Sequence, residues 1–146
     1  MFRIRFLDSN LDHFKEYGVL FIRIGLGVIF IAHGGQKLFG LFGGHGLSGT
    51  IGFMDKMGFQ PAMLFGAALA CAEFFGGVLA LLGLFTRWAG LFLAIVMSVA
   101  VYTVHLKNGL FMSNKGFEFS GALLCMALSL IVSGGGRWSI DKLLRK

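Results

Sequence analysis

Four long apolar stretches, separated by short polar ones, dominate the chain. Residues 17–39, 61–85, 87–106 and 117–133 are each nearly uncharged. A helix needs about 20 mainly apolar residues to cross a bilayer, so the pattern predicts four spanning helices. The second and third meet at Thr86 and Arg87, which predicts a tight antiparallel hairpin. Pro61 suits the first turn of the second helix, where its missing N–H leaves no bond unmade. Gly134, Gly135 and Gly136 end the fourth helix.

The segments between and around the spans have their own patterns. Residues 1–16 alternate Phe2, Phe6, Leu7, Leu11 and Phe14 with charged side chains, which predicts an amphipathic N-terminal segment on the membrane rather than a signal peptide. Residues 40–60 begin as a glycine-rich loop and continue as a partly amphipathic stretch, read as a short surface helix that serves as a lid. Residues 137–146 form a basic C-terminal tail, which leaves 17–136 as the transmembrane domain.

Composition strengthens this reading. Of 146 residues, 56% are hydrophobic and only 14% charged, and the mean hydropathy is +0.80. So few charges cannot cover a water-facing surface. The 23 glycines suit helices whose backbones approach closely in lipid. The net charge of +6 does not point to nucleic acid, because the cations sit at span ends. Arg3, Arg5, Lys15, Arg87, Arg137, Lys142, Arg145 and Lys146 fall on one side, against Lys37, Lys56, Lys107 and Lys115 on the other. Positive residues favour the cytoplasmic side. The fold class is therefore all-α, a transmembrane four-helix bundle with cytoplasmic termini, with Trp88 and Trp138 near the cytoplasmic interface.

Ionisable residues inside apolar spans are costly and commonly face a bundle interior or a cavity. Arg23, His33, Gln36 and Lys37 lie in the first span, Glu73 in the second, His105 near the end of the third and Glu118 at the start of the fourth. Helical spacing places Arg23, His33 and Lys37 on one stripe, expected to face inward. A depth difference of about 6 Å between Arg23 and Glu73 predicts an ion pair between them, beneath a polar cavity opening outward.

Other motifs give less. Cys71 and Cys125 lie in apolar segments outside any CxxC and are read as two buried thiols, a disulfide between them being the weaker reading. The glycine-rich HGGQKLFGLFGGHG lacks a phosphate-loop pattern. His33, His45 and His105 have no metal-ligand spacing, and a haem held between His33 and His105 is the weaker reading.

Taken in order, four segments resemble the DoxX family of small four-span bacterial membrane proteins. RIGLGVIFIAHGGQKLFG supplies Arg23, His33, Gly34, Lys37 and Leu38; AEFFGG supplies Glu73, Gly76 and Gly77; LLGLFTRWAGLFLA supplies Arg87; and NKGFEF supplies Glu118. The resemblance covers residues 19–131. It implies a multi-pass protein of the bacterial cytoplasmic membrane. It also implies a role in sulfur oxidation, with electrons passing from thiosulfate to quinone, or partnership with thiol-redox proteins.

Two functional readings stand side by side. In the first, the chain is a membrane subunit of a quinone-linked redox system. His33 and Glu73 are its catalytic candidates, and Arg23, Gln36, Lys37, His105 and Glu118 bind quinone or a small polar substrate in the outer half of the bundle. Quinone is the expected cofactor, and a soluble or membrane redox protein the expected partner. In the second, the chain is a non-catalytic anchor or assembly factor for a soluble redox partner, and the buried charges only hold helices in register. Lipid contact follows from either, a homo-oligomer is compatible with both, and a transporter would need one.

Overall fold

The computed structural model describes residues 14–145; the amphipathic segment expected over residues 1–16 lies mostly outside them. Among the described residues there is no strand. Helix α1 spans Lys15–Phe39, α2 Gly46–Lys56, α3 Ala62–Leu82, α4 Thr86–Ala100, α5 Glu118–Ser133 and α6 Ile140–Leu144. By length and hydropathy, α1, α3 and the continuous stretch Thr86–Asn108 can cross a membrane. The apolar α5 has 16 residues, or about 24 Å, somewhat short of a hydrocarbon core of about 30 Å. Together the four make a helical membrane bundle.

Small residues set how closely these helices pack. A Cβ added to Gly27 would lie 2.8 Å from the Leu81 Cβ, one at Gly77 would lie 2.8 Å from the Ile31 nitrogen, and one at Gly34 would overlap the Phe74 backbone. The α1–α3 contact is thus a backbone-to-backbone seam of the kind lipid-embedded helices use. Gly76 receives Leu93 of α4, and Gly90 of α4 lies against Ala127 and Ile131 of α5. Leu26, Phe30, Ala80, Ala89, Leu93, Met97, Leu123, Ala127 and Leu130 form the buried centre. Phe21, Val28, Phe75, Phe92, Ile95 and Val132 are exposed on the outside, as lipid contact requires.

The ends of the spans follow from local chemistry. Gly83 takes φ 67° after α3, and the Leu84 N–H bonds the Leu79 carbonyl at 3.0 Å, closing the helix with a left-handed glycine cap. The third span is not uniform: after Ala100 it widens into a π-turn, Val101–His105, and then a 3₁₀ turn, Leu106–Asn108. In that stretch the Thr103 hydroxyl bonds the Val99 carbonyl at 2.7 Å, the back-bonding that bends helices.

The expected surface helix is α2, with Met54 and Thr50 buried. It packs on α3 where Gly66 admits Ile51 and is tied to α1 by the Thr50 hydroxyl, 3.1 Å from the Lys37 carbonyl. It closes the outer end of the α1–α3 pair. The segment read as a basic tail also folds back: the Asp141 N–H bonds the Gly83 carbonyl at 2.9 Å, docking α6 on the α3–α4 turn.

Candidate functional site

Two polar centres occupy opposite ends of the bundle, and the sequence-derived pairing between them does not form. At the inner end Arg23 is 2% exposed. Its partners are carbonyls rather than Glu73: Nε bonds Ala80 O at 3.0 Å, Nη2 bonds Leu81 O at 2.8 Å, and Nη1 bonds Gly135 O at 2.9 Å and Trp138 O at 2.7 Å. The last carbonyls of a helix have no partner within it. Arg23 supplies donors to the end of α3 and to the chain just past α5, pinning both to α1. Arg87 does the same at smaller scale, with Nη1 2.7 Å from the Ile131 carbonyl.

The expected Arg23–Glu73 pair fails on depth. The seam contacts set Gly34 level with Phe74, and Gly27 level with Gly77 and Leu81. Glu73 therefore lies beside residue 34, about 11 residues or roughly 16 Å along α1 from Arg23. Aligning the ends of the apolar stretches put that offset at about 6 Å. The loop and α2 between the spans change the register, and an alignment of apolar ends ignores them.

Glu73 pairs with Lys37 instead, Nζ to Oε2, 2.5 Å apart, with the carboxylate side chain 4% exposed and the lysine side chain 30%. Phe74 adjoins Glu73, and its ring meets Phe39 edge-on with centroids 5.1 Å apart. Lys37 thus turns its ammonium into the bundle rather than out to water, and an aromatic wall stands beside the pair.

His33 does not join the inward stripe. At 3.6 residues per turn it falls about 80° from Arg23, whereas Phe30 and Gly34 fall about 20° either side of it. Phe30 and Gly34 are buried and His33 is exposed. It lies one helical turn from Lys37, on the edge of the α1 face that lipid can reach. Gln36 bonds the Phe42 carbonyl at 3.3 Å and so holds the loop after α1.

His105 and Glu118 belong to the outer turn between α4 and α5. His105 Nδ1 lies 2.8 Å from the Lys115 carbonyl, so Nδ1 carries the proton. Glu118 accepts the Met112 N–H. The seven expected site residues therefore divide. Lys37 and Glu73 are in contact and His33 is one turn away, Gln36, His105 and Glu118 hold outer loops, and Arg23 holds the inner end. The cysteines read as two buried thiols are free but not both buried: Cys71 is half-buried and Cys125 is exposed on the outside of the bundle.

Sequence reasoning missed Asp141. Its Oδ1 accepts the Phe85 N–H at 2.7 Å, and its Oδ2 accepts the Thr86 N–H at 2.8 Å and the Thr86 hydroxyl at 2.7 Å. It caps the N-terminus of α4 from a distant segment. Burial raises its pKa, but the bonds from Thr86 and Phe85 and the nearby Arg145 charge outweigh this and hold the carboxyl below its ordinary range. The available signal was a single acid in a tail with Arg137, Lys142, Arg145 and Lys146.

A close-packed bundle of apolar helices, with an ion pair inside it and arginines clamping its inner end, defines a small multi-pass membrane protein. Residues 18–106 match the DoxX family, and the chain belongs to that family. The match stops before α5, so the NKGFEF segment lies outside it. The chain is 34% identical over 131 residues to a Bacillus subtilis (strain 168) protein named "Putative oxidoreductase CatD", covering 90% of each chain. It is 33% identical to the Escherichia coli (strain K12) inner membrane protein YqjF, over 90% of this chain and 95% of that one. It is 34% identical to the Mycobacterium tuberculosis membrane protein Rv3486, over 88% and 82%. No solved structure matches. The protein is a multi-pass bacterial membrane protein.

Proposed function

We propose that the protein is the membrane subunit of a quinone-linked redox system, with Lys37, Glu73 and His33 as its proton-handling and head-group-binding residues. The observation that carries this reading is the Lys37–Glu73 ion pair, held inside the bundle one helical turn from a histidine that faces outward. A charged pair removed from water costs several kcal/mol unless well arranged, and ionisable groups at such depth commonly serve proton relays.

Reduction of a quinone to a quinol consumes two electrons and two protons. The quinone carbonyls need donors, which the His33 ring and the Lys37 ammonium provide. Phe39 and Phe74 offer an apolar wall to the ring. A lipid-dissolved quinone can reach His33 sideways from the bilayer. The electrons come from a thiol or thiosulfate donor on a partner protein. The name of the Bacillus subtilis relative is consistent with such a role.

The test is titration of the nanodisc-embedded protein with a short-chain quinone. Saturable binding is expected, with Glu73→Gln and His33→Ala each raising Kd about tenfold, the scale of one lost charge-assisted hydrogen bond, while circular dichroism stays unchanged. Equal affinity in both variants and the wild type rejects the assignment. The anchor reading has its own observation, the four carbonyls held by Arg23. It gains if a soluble redox protein stays bound to both variants while neither alters quinone binding.

A further inference from the structure

A polar cavity of about 220 Å³ opens at the inner end of the bundle, the space of roughly seven waters at liquid density. Arg87, Arg137, Lys142 and Arg145 line it with Asp141 and the backbone of the triple glycine at 134–136. Among the described residues Arg87, Lys142 and Arg145 face one carboxylate, while Arg137 has interactions of its own. That carboxylate gives its hydrogen bonds elsewhere, its two oxygens taking three from Phe85 and Thr86, while its charge offsets part of that of Arg145.

The glycine backbone of the cavity wall is prepared in the same sense. Its carbonyls would repel an anion if they were free. Two of the three are taken: Arg23 holds Gly135 O at 2.9 Å and the Ser139 hydroxyl holds Gly136 O at 2.7 Å, while the Ser133 hydroxyl gives its one proton to Ser129 O at 2.7 Å. Arg87 uses one of its five donors on Ile131 O and keeps the others for a ligand. Gly134 takes φ 69°, a left-handed backbone that favours glycine, and the Arg87 guanidinium lies beside it.

We infer that this cavity is a binding site for a phosphate group, in which Arg87, Lys142 and Arg145 hold the anion over the triple-glycine turn. The charge, the size and the occupied carbonyls of Gly135 and Gly136 favour a compact anion with several acceptor oxygens, and guanidinium groups match phosphate geometry. The cavity sits at the end that the basic-residue bias assigns to the cytoplasm, beside the exposed Trp88 and Trp138. Two sources of phosphate meet there: the head group of an anionic lipid and a soluble phosphate compound. This site is independent of the Lys37–Glu73 centre at the other end of the bundle.

The experiment uses the full chain, with native mass spectrometry from nanodiscs of phosphatidylcholine containing one-fifth phosphatidylglycerol, and thermal unfolding in detergent with and without 10 mM inorganic phosphate. Wild-type protein is expected to retain one phosphatidylglycerol at least tenfold above its share of the bilayer, or to gain several degrees of Tm from phosphate but not from chloride of equal ionic strength. The first result assigns the site to lipid and the second to a soluble phosphate; either supports the proposal. Lys142→Gln combined with Arg145→Gln, both exposed positions, should abolish the effect, and Lys142→Arg should keep it. If neither effect occurs in the wild type, or if the double variant retains lipid and phosphate protection in full, the proposal is overturned.

Discussion

Replacing Arg23 with Met keeps the length of the side chain and removes every donor. Three carbonyls lose their partner, and a fourth, Ala80 O, keeps only the Gly83 N–H at 3.2 Å. The bonds to Leu81 O and Trp138 O are only part-buried, so water can replace them, whereas Gly135 O is left buried and orphaned. An orphaned buried acceptor costs about 1–3 kcal/mol, and loss of one of the two bonds at Ala80 O adds about 1 kcal/mol. Relief of the guanidinium's own desolvation subtracts from this, and the net expectation is a loss of about 2 kcal/mol, roughly thirtyfold in the folding equilibrium. Arg23→Lys, with a single ammonium that cannot span both helix ends, should recover about half of it. The assay is reversible unfolding in mixed micelles, followed by the fluorescence of Trp88 and Trp138, which sit near the affected end. If Arg23→Met unfolds within about 0.5 kcal/mol of wild type, the clamp does not carry the stability assigned to it.

The Lys37–Glu73 pair should respond asymmetrically. Lys37→Met strands a carboxylate that is 4% exposed, while Glu73→Gln leaves a lysine 30% exposed whose long stem can reach water. The first should cost about 3 kcal/mol and the second about 1 kcal/mol, with the double variant no worse than Lys37→Met alone in a double-mutant cycle; equal single costs would argue against the geometry. Asp141 has a folded pKa below its unfolded value, so its stabilising contribution is present above the unfolded pKa and is lost as pH falls through the folded one. Unfolding free energy should therefore fall more steeply on acidification below about pH 4 in wild type than in Asp141→Asn, and parallel curves would refute the cap. Gly34→Ala places a Cβ onto the Phe74 backbone and should lower stability by about 2 kcal/mol in the same micelle assay; a neutral effect would mean that the α1–α3 seam can open.

The spans were legible because apolar length is nearly a sufficient signal in lipid. The stretch read as 117–133 is α5 at Glu118–Ser133, and the one read as 61–85 is α3 at Ala62–Leu82. The residues worth testing were legible too, because a charge inside an apolar run stands out whatever it touches. Their partners were not, since a hydropathy pattern fixes where a helix is but not its axial register against a neighbour. In this fold that register is set by the small residues Gly27, Gly34 and Gly77, whose close approaches place Glu73 beside Lys37 and Arg23 beside the end of α3. Asp141 was hidden for a related reason, because its partners Phe85 and Thr86 lie more than fifty residues away.

The register also explains why the two centres differ in kind. At the inner end, helix C-termini converge and present unmatched carbonyls, so the cation that belongs there is a multi-donor guanidinium, and Arg23 fills that role without a carboxylate. Further out, the α1–α3 seam runs between closed backbones with no free carbonyl to offer. A cation placed there needs an anion, and Glu73 is the one provided. Arg23 and Lys37 share an expensive location, yet one completes the backbone bonding of the bundle while the other forms a pair of charges that the helices do not need for their own hydrogen bonds. A pair of that second kind is where chemistry is to be sought, and exchanging it for two apolar residues in a Lys37→Met, Glu73→Met variant separates the roles. A bundle that keeps its stability and loses quinone binding identifies the pair as functional, whereas a bundle that loses stability outright makes it a second structural clamp.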